Sequence, residues 1–128
     1  THGVSNNQTD LNGILLYDGK WLVKDIQHLK LQNDLVVMSS CSAIAGEFVK
    51  GEGRVAMTRS FVRAGARNIV YTLWSVNDKL AARLMTSFYK YLTQGMDYAH
   101  ALRQAKLEFL RDLKPVYGYP GLWAVYLL

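Results

Sequence analysis

The chain has 128 residues, enough for one domain with a buried core. Half of the residues are hydrophobic and 20% are charged, which excludes a disordered tail, and no apolar run approaches the roughly 20 residues of a membrane-spanning helix. Its net charge of +5 comes from scattered lysines and arginines and is too diffuse to indicate a nucleic-acid partner by itself.

Residues 1–10 are polar and turn-like. Residues 14–17 and 21–23 flank Asp18-Gly19, which predicts a hairpin with a two-residue turn. A short helix is predicted over 24–29, with Asp25 in its first turn. Leu35-Val36-Val37-Met38 is a continuous apolar run, as expected of a strand buried on both faces of a parallel sheet. Residues 43–54 are small, polar and glycine-rich, so an exposed loop is predicted there.

A helix is predicted over residues 55–64, stopped by Gly65. Arg54, Arg59, Arg63 and Arg67 recur around it and read as a solvated face. Residues 68–74 read as the next buried strand. Ala81, Leu84, Met85, Phe88 and Leu92 then share one helical face, capped by Asn77 or Asp78 and ended near Gly95. Tyr98, Ala101, Leu102, Ala105 and Phe109 repeat that spacing after Asp97 as a cap, with Pro115 as a stop. Residues 122–128 are predicted as a final strand.

Strand, helix, strand, two helices, strand is the grammar of an α/β layered domain with a mainly parallel sheet. Ligands and catalysis gather at the C-terminal ends of such strands. Cys41, His2 and the Trp74-Ser75 pair are each predicted to lie past one such end.

A single cysteine excludes an internal disulfide framework and suits a reducing, cytoplasmic setting. Read alone, Cys41 suits packing better than chemistry, because a thiol attacks a carbonyl only as thiolate and needs a base. Of the three histidines, His28 and His100 fall on or beside predicted helices and read as structural or surface groups. His2 precedes a glycine, which permits close backbone approach.

Several blocks carry a family resemblance. They are Thr1-His2-Gly3, the run from Leu35 through Ser39-Ser40-Cys41-Ser42 to Gly46, Lys50-Gly51-Glu52-Gly53, and Thr58-Arg59-Ser60-Phe61 through Val70. Leu73-Trp74-Ser75-Val76-Asn77-Asp78, Phe88-Tyr89, Ala101-Leu102-Arg103-Gln104-Ala105-Lys106 and Trp123-Ala124-Val125-Tyr126 complete them. In this order the blocks resemble the CHAT domain, a caspase-like cysteine peptidase domain related to caspases and separases. The resemblance implies His2 as general base, Cys41 as nucleophile, and an oxyanion hole from the backbone amides of Gly3 and Cys41. It implies no cofactor and no metal.

Separases carry a similar Trp-x-Val-x-Asp stretch whose aspartate binds an arginine before the cleaved bond, matched here by Trp74, Val76 and Asp78. That implies cleavage after a basic residue; Asp78 as a helix N-cap is an equal alternative, and the two roles are compatible. Glu52, flanked by glycines, reads as a solubilising loop residue, with orientation of the loop near the dyad as the alternative. The family's usual threonine two positions after the cysteine is replaced by Ala43, which removes a hydroxyl able to fix that loop.

The chain opens without an initiator methionine and is expected to be the C-terminal part of one CHAT domain, with the N-terminal half absent. The fragment itself is then expected to be inactive, and to associate with itself or with the absent half through exposed strand edges. The expected function is a cysteine endopeptidase acting on a protein or peptide substrate; the alternative is a non-catalytic caspase-like interaction or scaffold module. A tetratricopeptide-repeat or other sensor module is the partner the resemblance implies. No membrane is expected, nor nucleic acid, since no helix-turn-helix, zinc-finger or RNA-recognition signature is visible.

Overall fold

The computed structural model describes residues 2–4, 13–39, 55–74, 76–112 and 119–128. Cys41, the predicted loop over 43–54 with Glu52, and the Pro115 stop lie outside the described residues. Strands and helices mix as an α/β chain, in two compact units, Thr1–Ser75 and Val76–Leu128.

The first unit opens with a three-stranded antiparallel sheet of β1 (His2–Val4), β2 (Gly13–Leu15) and β3 (Lys20–Leu22). Gly3 pairs with Ile14, and Ile14 in turn with Trp21. β1 lies where the sequence reads as turn-like: three residues carry no period, and only pairing with β2 makes them a strand. The β2–β3 hairpin forms, but its turn sits one residue early. Leu16 N–H donates to Gly19 O (2.7 Å), so Tyr17 and Asp18 are the central residues. None of the turn residues has a positive φ, so this is not the type I′ turn that Asp-Gly favours. Gly13 is needed for close approach, since a Cβ there would run into the Trp21 carbonyl.

Helix α1 (Val23–Ile26) is a single turn, shorter than predicted, and buries Ile26 completely. Ile26 joins Met38, Met57, Phe61, Ala66 and Ile69 in the core of this unit. β4 (Leu35–Met38) and β5 (Asn68–Thr72) pair in parallel, with Leu35 opposite Asn68 and Met38 opposite Tyr71. Leu35, Val36 and Val37 are half-buried, so the expectation of a strand covered on both faces is met at Met38 alone. β5 stops two residues before its predicted end, and the chain bends at Leu73 and Trp74.

Helix α2 (Val55–Ala64) has its predicted bounds. Gly65, at φ +107°, closes it with Gly65 N–H on Val62 O and Ala66 N–H on Phe61 O, both 3.0 Å, a Schellman turn. The segment between α1 and β4 is tied to that turn. Leu31 N–H donates to Ala64 O (2.7 Å), Arg67 pairs with Asp34 (3.0 Å), and Asn68 Nδ2 donates to Asp34 O (2.9 Å).

In the second unit, α3 (Asp78–Thr93) and α4 (Tyr98–Asp112) form an antiparallel helical hairpin. The predicted faces are the buried ones: Ala81, Leu84, Met85 and Phe88 on α3, and Ala101, Leu102, Ala105 and Phe109 on α4. Leu92 and Tyr98, at the ends of those faces, are half-buried. Gly95 ends α3 with a second Schellman turn, Met96 N–H reaching Tyr91 O (3.3 Å). Asp97 caps α4 as predicted, its Oδ1 accepting His100 N–H at 2.9 Å.

Polar bonds fix the register of the hairpin. Arg83 pairs with Asp112 (2.5 Å), and Glu108 accepts from Tyr91 Oη (2.6 Å) and Ser87 Oγ (3.2 Å), with Lys90 at 3.7 Å. The Tyr91 hydroxyl holds the Glu108 carboxyl below the usual glutamate range, and Glu108 in turn raises the Tyr91 hydroxyl. A carboxyl whose folded pKa is depressed stabilises the fold above its unfolded pKa and loses that stabilisation as pH falls through the folded value. The wild-type Tm should therefore exceed that of Glu108→Gln at neutral pH, with the gap closing below about pH 4. A gap that persists unchanged in acid would remove the ionised carboxylate from this role.

Residues 122–128 do not form the long final strand predicted for them. Pro120 has no N–H and a fixed φ, and Pro120–Leu122 instead makes a 3-10 turn, with Leu122 N–H on Tyr119 O (3.0 Å). Only Tyr126–Leu127 is extended, as β6. Val125 and Tyr126 are fully buried, and Lys106 Nζ donates to Tyr126 O at 2.6 Å. Burial of the Lys106 amine lowers its pKa.

Candidate functional site

His2 and Gly3 are the first two residues of β1, with His2 opposite Leu15 and Gly3 opposite Ile14. Among the described residues His2 is the first of β1; the strand expected to deliver it would lie ahead of Thr1, outside this chain. Cys41 follows β4 by three residues and lies outside the described residues, so the dyad geometry and the Cys41 amide are not placed.

Trp74 follows β5 by two residues and is 39% exposed. Val76 is buried. Asn77, not Asp78, caps α3: its Oδ1 accepts Lys79 N–H at 3.0 Å, and its carbonyl accepts Ala81 N–H at 2.9 Å. Both residue types cap helices well, so the sequence alone could not choose between them. Asp78 is the first helical residue, its side chain exposed at the positive end of the helix dipole, where a carboxylate is favoured. The cap reading of Asp78 is thereby set aside.

The two other histidines have local partners. His100 Nδ1 lies 2.6 Å from Asp97 Oδ2, and its backbone N–H bond to Asp97 is the main reason that the Asp97 carboxyl stays below the usual range. His28 Nε2 is 3.4 Å from Gln27 Nε2. Both histidines are exposed. Among the described residues no group of three His, Cys, Asp or Glu side chains could hold a metal ion. No helix among them is long and apolar enough to cross a membrane.

The model of the CHAT domain matches residues 1–128, the whole chain. This chain belongs to the CHAT family. Two curated relatives are similar to the CHAT chain: tetratricopeptide repeat protein 28 of Mus musculus, 32% identical over 104 residues, and that of Homo sapiens, 31% identical over 104 residues. Each match takes in 81% of the CHAT chain and 4% of the relative, so the chain spans a small part of either protein. No solved structure matches it. CHAT membership places the chain in a caspase-like family, in keeping with its mixed α/β architecture.

Proposed function

We propose that this CHAT chain is the C-terminal part of a single caspase-like domain, layered around a mainly parallel sheet, that works as a cysteine endopeptidase. His2 takes the proton of the Cys41 thiol, and the thiolate attacks the scissile carbonyl carbon. The Gly3 and Cys41 amides donate to the oxyanion that forms, and His2 returns the proton to the leaving amine. Water then hydrolyses the acyl-enzyme. Asp78 and Trp74 receive the basic side chain that precedes the cleaved bond, as an ion pair beside an aromatic face.

One observation carries this reading. In the parallel β4–β5 pair, Met38 stands opposite Tyr71; Cys41 follows Met38 by three residues, and Trp74 follows Tyr71 by three. Paired parallel strands lie about 4.8 Å apart and leave the sheet at one end, where catalysis gathers in α/β folds. The register thus supports bringing Cys41 and Trp74 to one end of the sheet.

The whole protein is the setting for this activity. A tetratricopeptide-repeat sensor module is proposed as its partner, on the strength of the relatives' name. A reducing, cytoplasmic location is proposed for the thiol. The isolated 128-residue chain is expected to be inactive and to associate with itself or with the remainder of the domain.

The test is a peptide library with each residue type before the scissile bond, presented to the complete protein and to its Cys41→Ala and Asp78→Ala forms. Arg and Lys peptides should be the ones cleaved efficiently by the intact protein, and Cys41→Ala should lose nearly all of that turnover. Asp78→Ala should lose about a hundredfold in kcat/KM on those peptides, in line with a charged pair worth 2–3 kcal/mol. An unchanged Arg and Lys preference in Asp78→Ala would remove Asp78 from this role.

A further inference from the structure

We infer that the exposed face of α2 is a docking strip for an acidic, amphipathic segment of a partner protein, centred on Arg59, Val62 and Arg63. These residues have the i, i+3, i+4 spacing that places side chains together on one side of a helix. All three are exposed, Val62 by 57%. A branched aliphatic side chain between two guanidinium groups is a mixed apolar and cationic surface, not a plain solvated face.

Among the described residues no carboxylate pairs with this strip. Arg67, Arg83 and Lys90 each have a carboxylate within 4.0 Å, from Asp34, Asp112 and Glu108 respectively. Arg63 instead donates from Nη1 to the neutral amide oxygen of Gln27 (3.3 Å). The Arg59 side chain has no hydrogen-bond or ion-pair partner among the described residues, and α2 contains no acidic residue. Like charges one turn apart on a helix repel. The helix dipole favours Arg63 in the last turn but gives nothing to Arg59.

The contact with Gln27 brings α1 beside the strip and adds to its positive side. Gln27 lies next to Arg63, and Lys24 is three residues before it, about one helical turn away. Lys24 too is without a hydrogen-bond or ion-pair partner among the described residues. Asp25 is the one carboxylate on α1.

The complement of such a strip is a segment with two carboxylates about one helical turn (~5.4 Å) apart and an apolar side chain beside them to cover Val62. An amphipathic helix with glutamates at i and i+4 and leucine at i+3 has that arrangement. Guanidinium groups bind carboxylates in a fork geometry, so the contact has orientation as well as charge. This inference does not depend on the peptidase reading.

The probe is a fluorescein-labelled, end-blocked helical peptide with that Glu/Leu pattern, titrated into the chain and followed by anisotropy. Binding should weaken as salt is raised, and by about tenfold or more in Arg59→Glu/Arg63→Glu. Arg59→Gln/Arg63→Gln keeps the helix-forming stems without the charge, and should lose affinity as well with an unchanged circular dichroism spectrum. A peptide carrying lysines in place of the glutamates should bind the charge-reversed variant and not the parent. Val62→Ser should weaken the parent complex by about threefold or more through loss of the apolar contact. Equal binding to parent and Gln variant, or no binding of the Glu/Leu peptide at all, overturns the proposal. So does a single-stranded oligonucleotide that binds Arg59 and Arg63 while the peptide fails to displace it; the strip would then serve nucleic acid.

Discussion

Replacing Cys41 by alanine in the complete protein should lower kcat/KM on Arg and Lys peptides by about 10⁴-fold or more, with the melting temperature little changed. The covalent route disappears with the sulfur, and what remains is substrate positioning and the oxyanion amides. His2→Ala should cost a similar factor, because a thiol without its base is largely protonated and a base without its thiol has nothing to activate. Groups that act as a unit are not additive, so the double variant should be hardly slower than either single one. The measurement is initial rate against substrate concentration for the parent, both single variants and the double variant. Turnover by Cys41→Ala equal to that of the parent would eliminate the nucleophile, whatever the fate of Asp78. Losses that multiply in the double variant would instead argue that His2 and Cys41 act separately.

The second large effect concerns stability. Phe88→Ala should destabilise the protein by about 3–5 kcal/mol. Phe88 is fully buried on the α3 face that packs on α4, in the company of Leu84 and Phe109, which are almost fully buried themselves. Removing a buried ring costs the transfer of its surface and also leaves a cavity that neighbouring helices collapse into only partly. A domain of this size has about 5–15 kcal/mol in all, so the loss takes a large share. Tyr89→Ala is the internal control. Its ring packs at 5.4 Å from that of Phe88 but is 48% exposed, so it should cost much less. Urea titration followed by circular dichroism measures both, and equal midpoints for the two variants would contradict the assigned burial.

The long amphipathic helices were readable because their period extends over three or four turns. Ala81 to Phe88 and Ala101 to Phe109 turn the same faces inward that their spacing indicates. Gly65 and Gly95 mark two helix ends because only glycine takes positive φ without strain, and both do so. β1 was hidden for the opposite reason: a three-residue strand has no internal signature and exists through its partner. The hairpin turn slipped by one residue because the β2–β3 pairing, rather than Asp18-Gly19, sets the register. Residues 122–128 are apolar enough for a strand, yet Pro120 and Gly121 curl the chain first.

The candidate site divides along the same line. Asp78 could not be told from Asn77 by residue type, and the hydrogen bond to Lys79 N–H decides which of them is the cap. His28 and His100 were separable from His2 by their helical surroundings, in agreement with the local contacts of both. The pairing of His2 with Cys41 rests on the order of motifs, since two residues 39 positions apart carry no signal of their own about a shared site.

The tie between residues 31–34 and the end of α2 bears on how chain length can vary. Residues 29–34 have no helix or strand and would ordinarily be a permissive place for insertions. Here the Leu31 amide is held by Ala64, Asp34 is held by Arg67 and Asn68, and the Leu31 carbonyl occupies the space in which a side chain at position 65 would stand. An added residue would have to break these contacts or push the Leu31 carbonyl away. Length change is far better tolerated at Tyr17 and Asp18, where the chain is fully exposed. Gaps in an alignment of relatives therefore belong at that tip and not in the irregular segment before β4.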